Sequence, residues 1–270
     1  MKEFLSVTEF SKLSGIENST LRYWDEIGLF SPVKRDPDNN YRYYSPMQVI
    51  TVNFISVLSG VAIPLKVISE MEGQRTPENI IDLIEAQEMQ LDVEMRRLRE
   101  CYSVIHTRRE LIKLGLKADP SQITVAKLPE KRLIFGPPAG FRDNEPFYEP
   151  FMRFCNTAEE MRINLNYPIG GYQERFDTFV KTPGKPDRFY SLDAAGNARQ
   201  EAGLYMVGYA RGYYGEFGDL PDRMAAYARE KDLKVTGPVY HIYLLDETCI
   251  QDPSQYLVRT SVRVLGKGEV

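Results

Sequence analysis

Cysteine and histidine are scarce in this chain, and their scarcity removes several kinds of chemistry at once. Three cysteines, Cys101, Cys155 and Cys249, lie far apart and are odd in number. Neither a disulfide framework nor a sequence-local metal site is expected from them. The two histidines, His106 and His241, complete no set with zinc-ligand spacing. There is no Gly-rich phosphate loop and no nucleophile elbow. The reading is therefore of a non-enzyme, with no catalytic residue, no metal and no cofactor. Long apolar runs are missing as well: the stretch 49–58 is interrupted by Thr51, Asn53 and Ser56, and nothing approaches the roughly 20 residues a bilayer span needs. The opening Met-Lys-Glu-Phe-Leu-Ser runs into a helix-start pattern instead of a signal peptide, so a cytoplasmic protein without membrane association is expected. Finally, there is no excess of positive charge. The net charge is −4, and residues 1–75 carry eight Lys/Arg against nine Asp/Glu. Any grip on nucleic acid has to come from a local patch.

Against this background, two clusters put an arginine beside aromatic rings: Leu21-Arg22-Tyr23-Trp24 and Tyr41-Arg42-Tyr43-Tyr44-Ser45. A guanidinium can bond phosphate oxygens in forked geometry while rings and hydroxyls fix its position. The alternative is that the rings are core and the arginines merely exposed. The surroundings favour the first reading. Ser6-Val-Thr-Glu9 is a capping box opening a short helix with Val7, Phe10 and Leu13 inward, ended by Gly15. A second helix, 20–27, turns Leu21, Trp24 and Ile27 inward and Thr20, Arg22 and Tyr23 outward, and Gly28 closes it. Two helices joined by a tight turn form a helix-turn-helix, whose second helix enters the major groove. The Pro/Asp/Asn-rich segment 32–40, carrying Lys34 and Arg35, reads as a wing returning to Tyr41. Ser45-Pro46 then caps a helix to about residue 59, with Val49, Val52, Ile55 and Leu58 inward, and a short helix follows over 64–71.

From Pro77 the period changes. Ile84, Leu91, Leu98, Ile105 and Ile112 recur every seven residues, with Ile81, Met95 and Tyr102 three before members of that series. Glu88 and Arg109 interrupt the seam. This two-position heptad pattern predicts a helix over 77–115, ~58 Å long at about 1.5 Å per residue, needing a partner for its stripe. The alternative is packing within its own domain. After a linker at 117–121 the pattern turns to strands at 123–127, 132–135, 172–180, 204–211, 239–245 and 256–265, with helices at 146–161 and 220–230. That order predicts an antiparallel α+β domain with an internal two-fold repeat.

Residues 6–72 resemble the DNA-binding domain of the mercury-resistance (MerR) family of transcription regulators. The resemblance is carried by Val7-Thr-Glu-Phe-Ser-Lys-Leu-Ser-Gly15, Thr20-Leu-Arg-Tyr-Trp-Asp-Glu-Ile-Gly-Leu29 and Asn40-Tyr-Arg-Tyr-Tyr-Ser45. Two positions depart from the family: Glu17 stands where a serine often caps the recognition helix, leaving Asn18 or Ser19 to do so, and Trp24 replaces a tyrosine. The C-terminal part is similar, in element order and in Leu233-Lys-Val…Pro238-Val-Tyr, to the gyrase-inhibitor-like (GyrI-like) effector domain of the multidrug-sensing branch. The resemblance implies a multi-domain fold. Residues 1–75 would be an all-α winged helix-turn-helix and 76–116 a coiled-coil dimerisation helix. Residues 120–270 would be an α+β antiparallel effector domain. It implies a homodimer joined through residues 77–115, bound to double-stranded promoter DNA, acting with RNA polymerase as an activator that distorts the promoter. The expected DNA-facing residues are Lys12, Thr20, Arg22, Tyr23, Lys34, Arg35, Tyr41, Arg42, Tyr43 and Lys66. The pair Asp25-Glu26 reads as a solvated helix face.

The effector should be a small aromatic or amphipathic molecule, because the C-terminal part is rich in tyrosine, which supplies ring area and a hydroxyl together. Along 204–213, Leu, Met, Gly, Ala and Gly alternate with Tyr, Val, Tyr, Arg and Tyr, giving a smooth face for a helix and a tyrosine face. Tyr148, Tyr172, Glu174, Tyr205, Tyr209, Tyr240, His241 and Tyr243 are the candidate ligand residues. In the resembled sensors a carboxylate follows the last Val-Tyr and meets a lipophilic cation. Here that position is His241, with Glu174 as a possible substitute, so cationic and neutral ligands both stay open. His241 itself reads as a partly buried, hydrogen-bonded histidine. The rival readings are a small-molecule-binding protein without regulation and a hydrolase-like C-terminal domain, for which Glu174 and Tyr205 would be tested first.

Overall fold

A computed structural model describes residues 2–60, 64–70 and 76–265. The domain boundary expected at residue 75, the end of the family resemblance at residue 72 and the segment 266–270 lie outside the described residues. The chain forms two compact units, Met1–Leu98 and Arg99–Val270.

In the first unit, helix α1 (Val7–Ser14) begins at a formed capping box. The Ser6 hydroxyl accepts from the Glu9 amide, and the Glu9 carboxylate accepts from the Ser6 amide. Gly15 ends the helix at φ 74°, a left-handed conformation that costs glycine little. Helix α2 (Asn18–Glu26) follows. Strands β1 (Leu5–Ser6), β2 (Lys34–Arg35) and β3 (Arg42–Tyr44) form an antiparallel sheet in the order β1-β3-β2. A single 3-10 turn (Pro46–Gln48), capped by Ser45, leads into α3 (Val49–Gly60), and α4 (Leu65–Glu70) comes after it. The core gathers Val7, Phe10, Leu21, Trp24, Leu29, Phe30, Tyr44, Val52, Ile55, Leu58 and Ile68. At its centre the rings of Phe10, Phe30 and Tyr44 pack against one another in a triangle, with centroids 4.8 Å (Phe10–Tyr44), 5.7 Å (Phe30–Tyr44) and 5.9 Å (Phe10–Phe30) apart.

Three expectations are corrected here. Leu13 and Ile27 are exposed: Leu13 lies in the last turn of α1 and Ile27 at the C-cap of α2, and neither side chain joins the core cluster. Asp25 is buried and belongs to no solvated face. Neither Asn18 nor Ser19 caps α2: Glu17 occupies the N-cap position and accepts from the Ser19 hydroxyl but from no helix amide, and the buried Asn18 Oδ1 has no partner.

Helix α5 (Pro77–Lys117) is one continuous element. Every residue from 88 to 102 on it is exposed. The heptad members Ile81, Leu91, Met95, Leu98, Tyr102 and Ile105 stand open among them or beside them. The helix is not packed along its length within its own chain.

In the second unit, eight strands form one antiparallel sheet: β4 (Ile123–Leu128), β5 (Lys131–Pro138), β6 (Ile169–Gln173), β7 (Arg188–Ser191), β8 (Ala198–Gln200), β9 (Gly203–Arg211), β10 (Lys234–Leu245) and β11 (Leu257–Leu265). Their spatial order is β4-β9-β11-β10-β6-β7-β5-β8. With helices α6 (Tyr148–Thr157) and α8 (Leu220–Glu230) the sheet contains a repeat. Strands β5, β6 and β7 with α6, and β9, β10 and β11 with α8, each run strand-helix-strand-strand, with the last strand lying between the first two. The halves meet where β6 pairs with β10. The first half adds a short helix, α7 (Phe176–Lys181), where a strand through residue 180 was expected. The strand ends at Gln173, and Arg175 sits as the N-cap of the new helix. The sheet curls: Gln200 Nε2 on β8 reaches Ser261 Oγ on β11 at 3.4 Å, although four strands separate them in the sheet order.

Strand alternation sorts the core by face. Inside the curl lie Tyr190, Tyr205, Val207, Tyr240, Ile242 and Leu257, with Leu111 from α5. On the other face Met206, Val239, Val258 and Val262 meet Phe179 of α7 and Leu220 and Met224 of α8. Gly208 permits that packing, since a Cβ there would lie 2.6 Å from Leu220 Cδ1.

Candidate functional site

The first unit carries a hairpin with two chemically different sides. Lys34 pairs with Tyr43 and Arg35 with Arg42 across β2 and β3. By the pleat, Arg35, Arg42 and Tyr44 turn one way and Lys34, Tyr41 and Tyr43 the other. The first group faces α2. Asp25 Oδ2 accepts from Arg35 Nη2 at 2.5 Å and from Arg42 Nε at 2.6 Å, with its side chain only 2% exposed. Burial pushes the Asp25 carboxyl up, but the hydrogen bonds and charges of Arg42 and Arg35 more than offset this and hold it below its ordinary value. Both arginines of the hairpin are therefore anchored to α2. The second group is outward: Tyr41 is exposed and meets Tyr43 edge-on at 5.7 Å, and Lys34 Nζ lies 5.7 Å from the Phe4 ring centroid. On α2, Arg22 and Tyr23 are exposed and Thr20 is half-buried. Arg22 forms no hydrogen bond or ion pair with any described residue. Lys12 is exposed at the end of α1, and Lys66 is exposed on α4.

The second unit holds a cavity of about 590 Å³, within the range of drug-sized ligand sites. Its wall is aromatic. Phe147, Tyr148 and Phe151 come from α6 and its entry, Phe189 from β7, Tyr213, Tyr214 and Phe217 from the loop after β9, and His241 and Tyr243 from β10. Phe147 meets Phe189 edge-on at 5.6 Å, and Tyr214 meets Tyr243 at 4.7 Å. The loop is fastened by Tyr243, whose hydroxyl donates to the Tyr213 carbonyl (2.8 Å) and accepts from the Gly215 amide (3.1 Å). Gly215 has φ 86°, and a Cβ there would crowd the Phe147 ring at 3.0 Å.

The polar groups are few. Arg108 from α5 bonds Asp246 Oδ2 at 2.6 Å, and Asp246 Oδ1 accepts from the amide and hydroxyl of Thr248. Glu247 is exposed. His241 is buried, lies 5.4 Å from the Phe179 ring and 5.0 Å from Phe217, and has no hydrogen-bond partner on Nδ1 or Nε2. Burial lowers its pKa to about 3, so it is neutral near pH 7. The expectation of a hydrogen-bonded, partly buried ring is thus corrected. Gly171 makes room for it: a Cβ there would lie 2.7 Å from His241 Cδ2.

Of the eight residues proposed from sequence for the ligand, Tyr148, His241 and Tyr243 line this cavity, and Tyr172, Glu174, Tyr205, Tyr209 and Tyr240 do not. The reason is parity. Tyr172 and Tyr240 are register partners, as are Gly171 and His241, so the tyrosines fall on the opposite side of the sheet from the histidine. Tyr205 is buried inside the curl and donates to the Glu201 carbonyl at 2.7 Å; Tyr209 packs at the edge of the same cluster. Glu174 is exposed beyond the end of β6. Phe147, Phe151, Phe189, Phe217, Arg108 and Asp246 also line the cavity and were not among the residues expected from sequence. One signal was available: consecutive glycines at 170 and 171, before a tyrosine in a strand, mark a close approach by another group.

Residues 5–74 match the family described as MerR HTH family regulatory protein. The multidrug-efflux transporter 2 regulator of Bacillus subtilis (strain 168) is 27% identical over 256 residues, covering 93% of this chain and 92% of that protein. The multidrug-efflux transporter 1 regulator of the same organism is 43% identical over 67 residues, 24% of each chain. The solved EcmrR–DNA complex shares 16% identity and covers 96% of this chain and 99% of that one, with a TM-score of 0.37.

Proposed function

The chain carries a MerR-type helix-turn-helix domain at residues 5–74, and on that premise we propose a homodimeric, ligand-responsive regulator of transcription. The observation that carries the reading is the pairing of that domain with an outward Arg22-Tyr23 on α2 beside a wing that Asp25 locks in place. Arg22 and Tyr23, with Lys12 and Thr20, face DNA from the helix pair; Lys34, Tyr41 and Tyr43 do so from the wing, and Lys66 from α4. Arg35 and Arg42 serve as braces with N–H groups left over for phosphate. The seam on α5 joins two copies, so that two such heads meet the two half-sites of a pseudo-palindromic promoter.

The aromatic cavity is the effector site. Arg108 gives it a direct link to α5, since the same ion pair with Asp246 lines the cavity and fixes that helix. Effector binding acts by letting the dimer bend and untwist promoter DNA so that RNA polymerase meets both of its elements in register. The deformation costs on the order of 1–6 kcal/mol, which protein contacts offset. The names of the two Bacillus relatives suggest that the regulated gene encodes an efflux transporter. A hydrolase reading finds little support in the cavity. Its lining contains no serine or cysteine, and its one histidine has no partner to orient it.

Footprinting of the upstream promoter region with and without effector tests the proposal. Altered cleavage between the half-sites at unchanged protection is expected. Simple release of the protein from DNA would sink the distortion mechanism, and no specific footprint at all would sink the regulator.

A further inference from the structure

Among the described residues that line the effector cavity, His241 alone has buried side-chain polar atoms with no partner. Native proteins rarely leave such groups unsatisfied, and an orphan in the wall of a cavity points to what fills it. A neutral imidazole offers one N–H donor and one acceptor nitrogen. A ligand hydroxyl, able to donate or accept, can pair with either ring nitrogen, and an amide-like group can do so through its N–H or its carbonyl.

The charged groups around the cavity say what the ligand lacks. Asp246 is already neutralised by Arg108 and also accepts from Thr248. Glu247 is exposed, so its charge is screened by water. The neighbours packed on the histidine carry no charge: the rings of Phe179 and Phe217, the Gly171 backbone and, across the ladder on β11, Thr260, whose buried hydroxyl is likewise unpaired. A lipophilic cation without N–H or O–H groups would find aromatic faces here but no buried carboxylate that is not already paired, and it would leave both ring nitrogens unpaired. A site with a committed hydrogen-bonding group rejects molecules lacking its complement far more strongly than an apolar wall does.

We propose that this cavity takes a flat, uncharged aromatic molecule bearing a hydroxyl or an amide-like group seated on His241, and discriminates against lipophilic cations. The proposal rests on the cavity being the effector site. It also makes His241 the specificity-determining residue of that site.

The experiment uses the full-length protein, with calorimetric titration and thermal shift against three probes: a neutral hydroxyflavone, the parent flavone without the hydroxyl, and tetraphenylphosphonium. The hydroxyflavone should bind at least tenfold tighter than flavone, and both should bind tighter than the phosphonium. His241→Leu should erase the difference between the two flavones, while His241→Gln, which keeps a donor and an acceptor, restores part of it. His241→Glu should reverse the ranking in favour of the cation. Tighter binding of the phosphonium to the wild-type chain, or a flavone pair that His241→Leu leaves unchanged, overturns the inference while leaving the cavity as the effector site. If none of the three probes binds, the effector-site reading itself fails. Should His241→Leu not fold, the other two variants still decide the matter: His241→Gln should keep part of the preference for the hydroxyflavone, and His241→Glu should reverse the ranking in favour of the cation.

Discussion

Replacing Asp25 tests whether the wing is held by one buried carboxylate. Its side chain is 2% exposed and accepts from Arg42 Nε and Arg35 Nη2 at 2.6 and 2.5 Å. A hydrogen bond to a charged partner contributes about 1.5–3 kcal/mol. The arginine side chains are 24% and 38% exposed, so solvent screening removes part of that. Asp25→Asn keeps the shape and one acceptor oxygen while removing the charge. We expect it to cost about 2 kcal/mol in urea unfolding, and a double-mutant cycle with Arg42→Gln to show coupling of about 1 kcal/mol or more. The core stack of Phe10, Phe30 and Tyr44 remains, so the loss should concentrate in the wing. Hydrogen exchange at the Asp36 amide, bonded to the Tyr41 carbonyl at 2.9 Å, should quicken by roughly tenfold for each 1.4 kcal/mol of local destabilisation. The acid limb gives a second reading. The folded carboxyl sits below its ordinary value of 3.8. Its contribution is therefore complete above about 3.8 and is lost as pH falls through the folded value, a loss Asp25→Asn should abolish. A cost below about 0.5 kcal/mol together with unaltered wing exchange would refute the reasoning.

The remaining expectations follow from equally local features. Helix α2 lacks an N-cap bond at Glu17, whose φ of −61° and ψ of 146° suit a capping serine, so Glu17→Ser should raise stability by about 0.5–1 kcal/mol in denaturant titration. On α5, Leu98 is 59% exposed in the single chain. If the seam is the dimer contact, burying the exposed part of two copies contributes about 2–3.5 kcal/mol, and Leu98→Lys should weaken the dimer about a hundredfold by light scattering without altering the monomer's circular dichroism. His241, with a folded pKa of about 3 against 6.5 unfolded, is bound neutral. Its stability contribution is complete above pH 6.5 and is lost as the unfolded chain takes up a proton at lower pH. Between pH 6.5 and 4.5 that amounts to about 2 kcal/mol, and His241→Gln should flatten the stability profile across this window.

The N-terminal half of the fold was legible because its determinants are local. A capping box, a glycine after α1, Ser45-Pro46 before α3 and a seven-residue period each act within a turn or two of helix, and residues carrying them declare the element directly. The inward stripe through Val7, Phe10, Leu21, Trp24, Val52, Ile55 and Leu58 is of the same kind. Local pattern failed where the outcome depended on a neighbour from elsewhere in the chain. Asp25 reads as a solvated acid until Arg35 and Arg42 arrive from the wing across ten and seventeen residues.

In the C-terminal half, tyrosine content announced an aromatic site, but a strand's two faces differ by one residue of register. Pairing of His241 with Gly171, and of Tyr240 with Tyr172, decided which side meets the cavity. Composition cannot show that. Nor could it show that β10, α6 and the loop at Tyr213–Phe217 converge, since that follows from the curl of an eight-stranded sheet. The sequence by itself determined the helix pair, the wing, the long helix with its open seam, and a tyrosine-rich α+β domain, because periodicity and capping are short-range physics. Only the tertiary structure decided that Asp25 anchors the wing and that an unpaired histidine faces the cavity, because burial and hydrogen-bond satisfaction are set by residues distant in the chain.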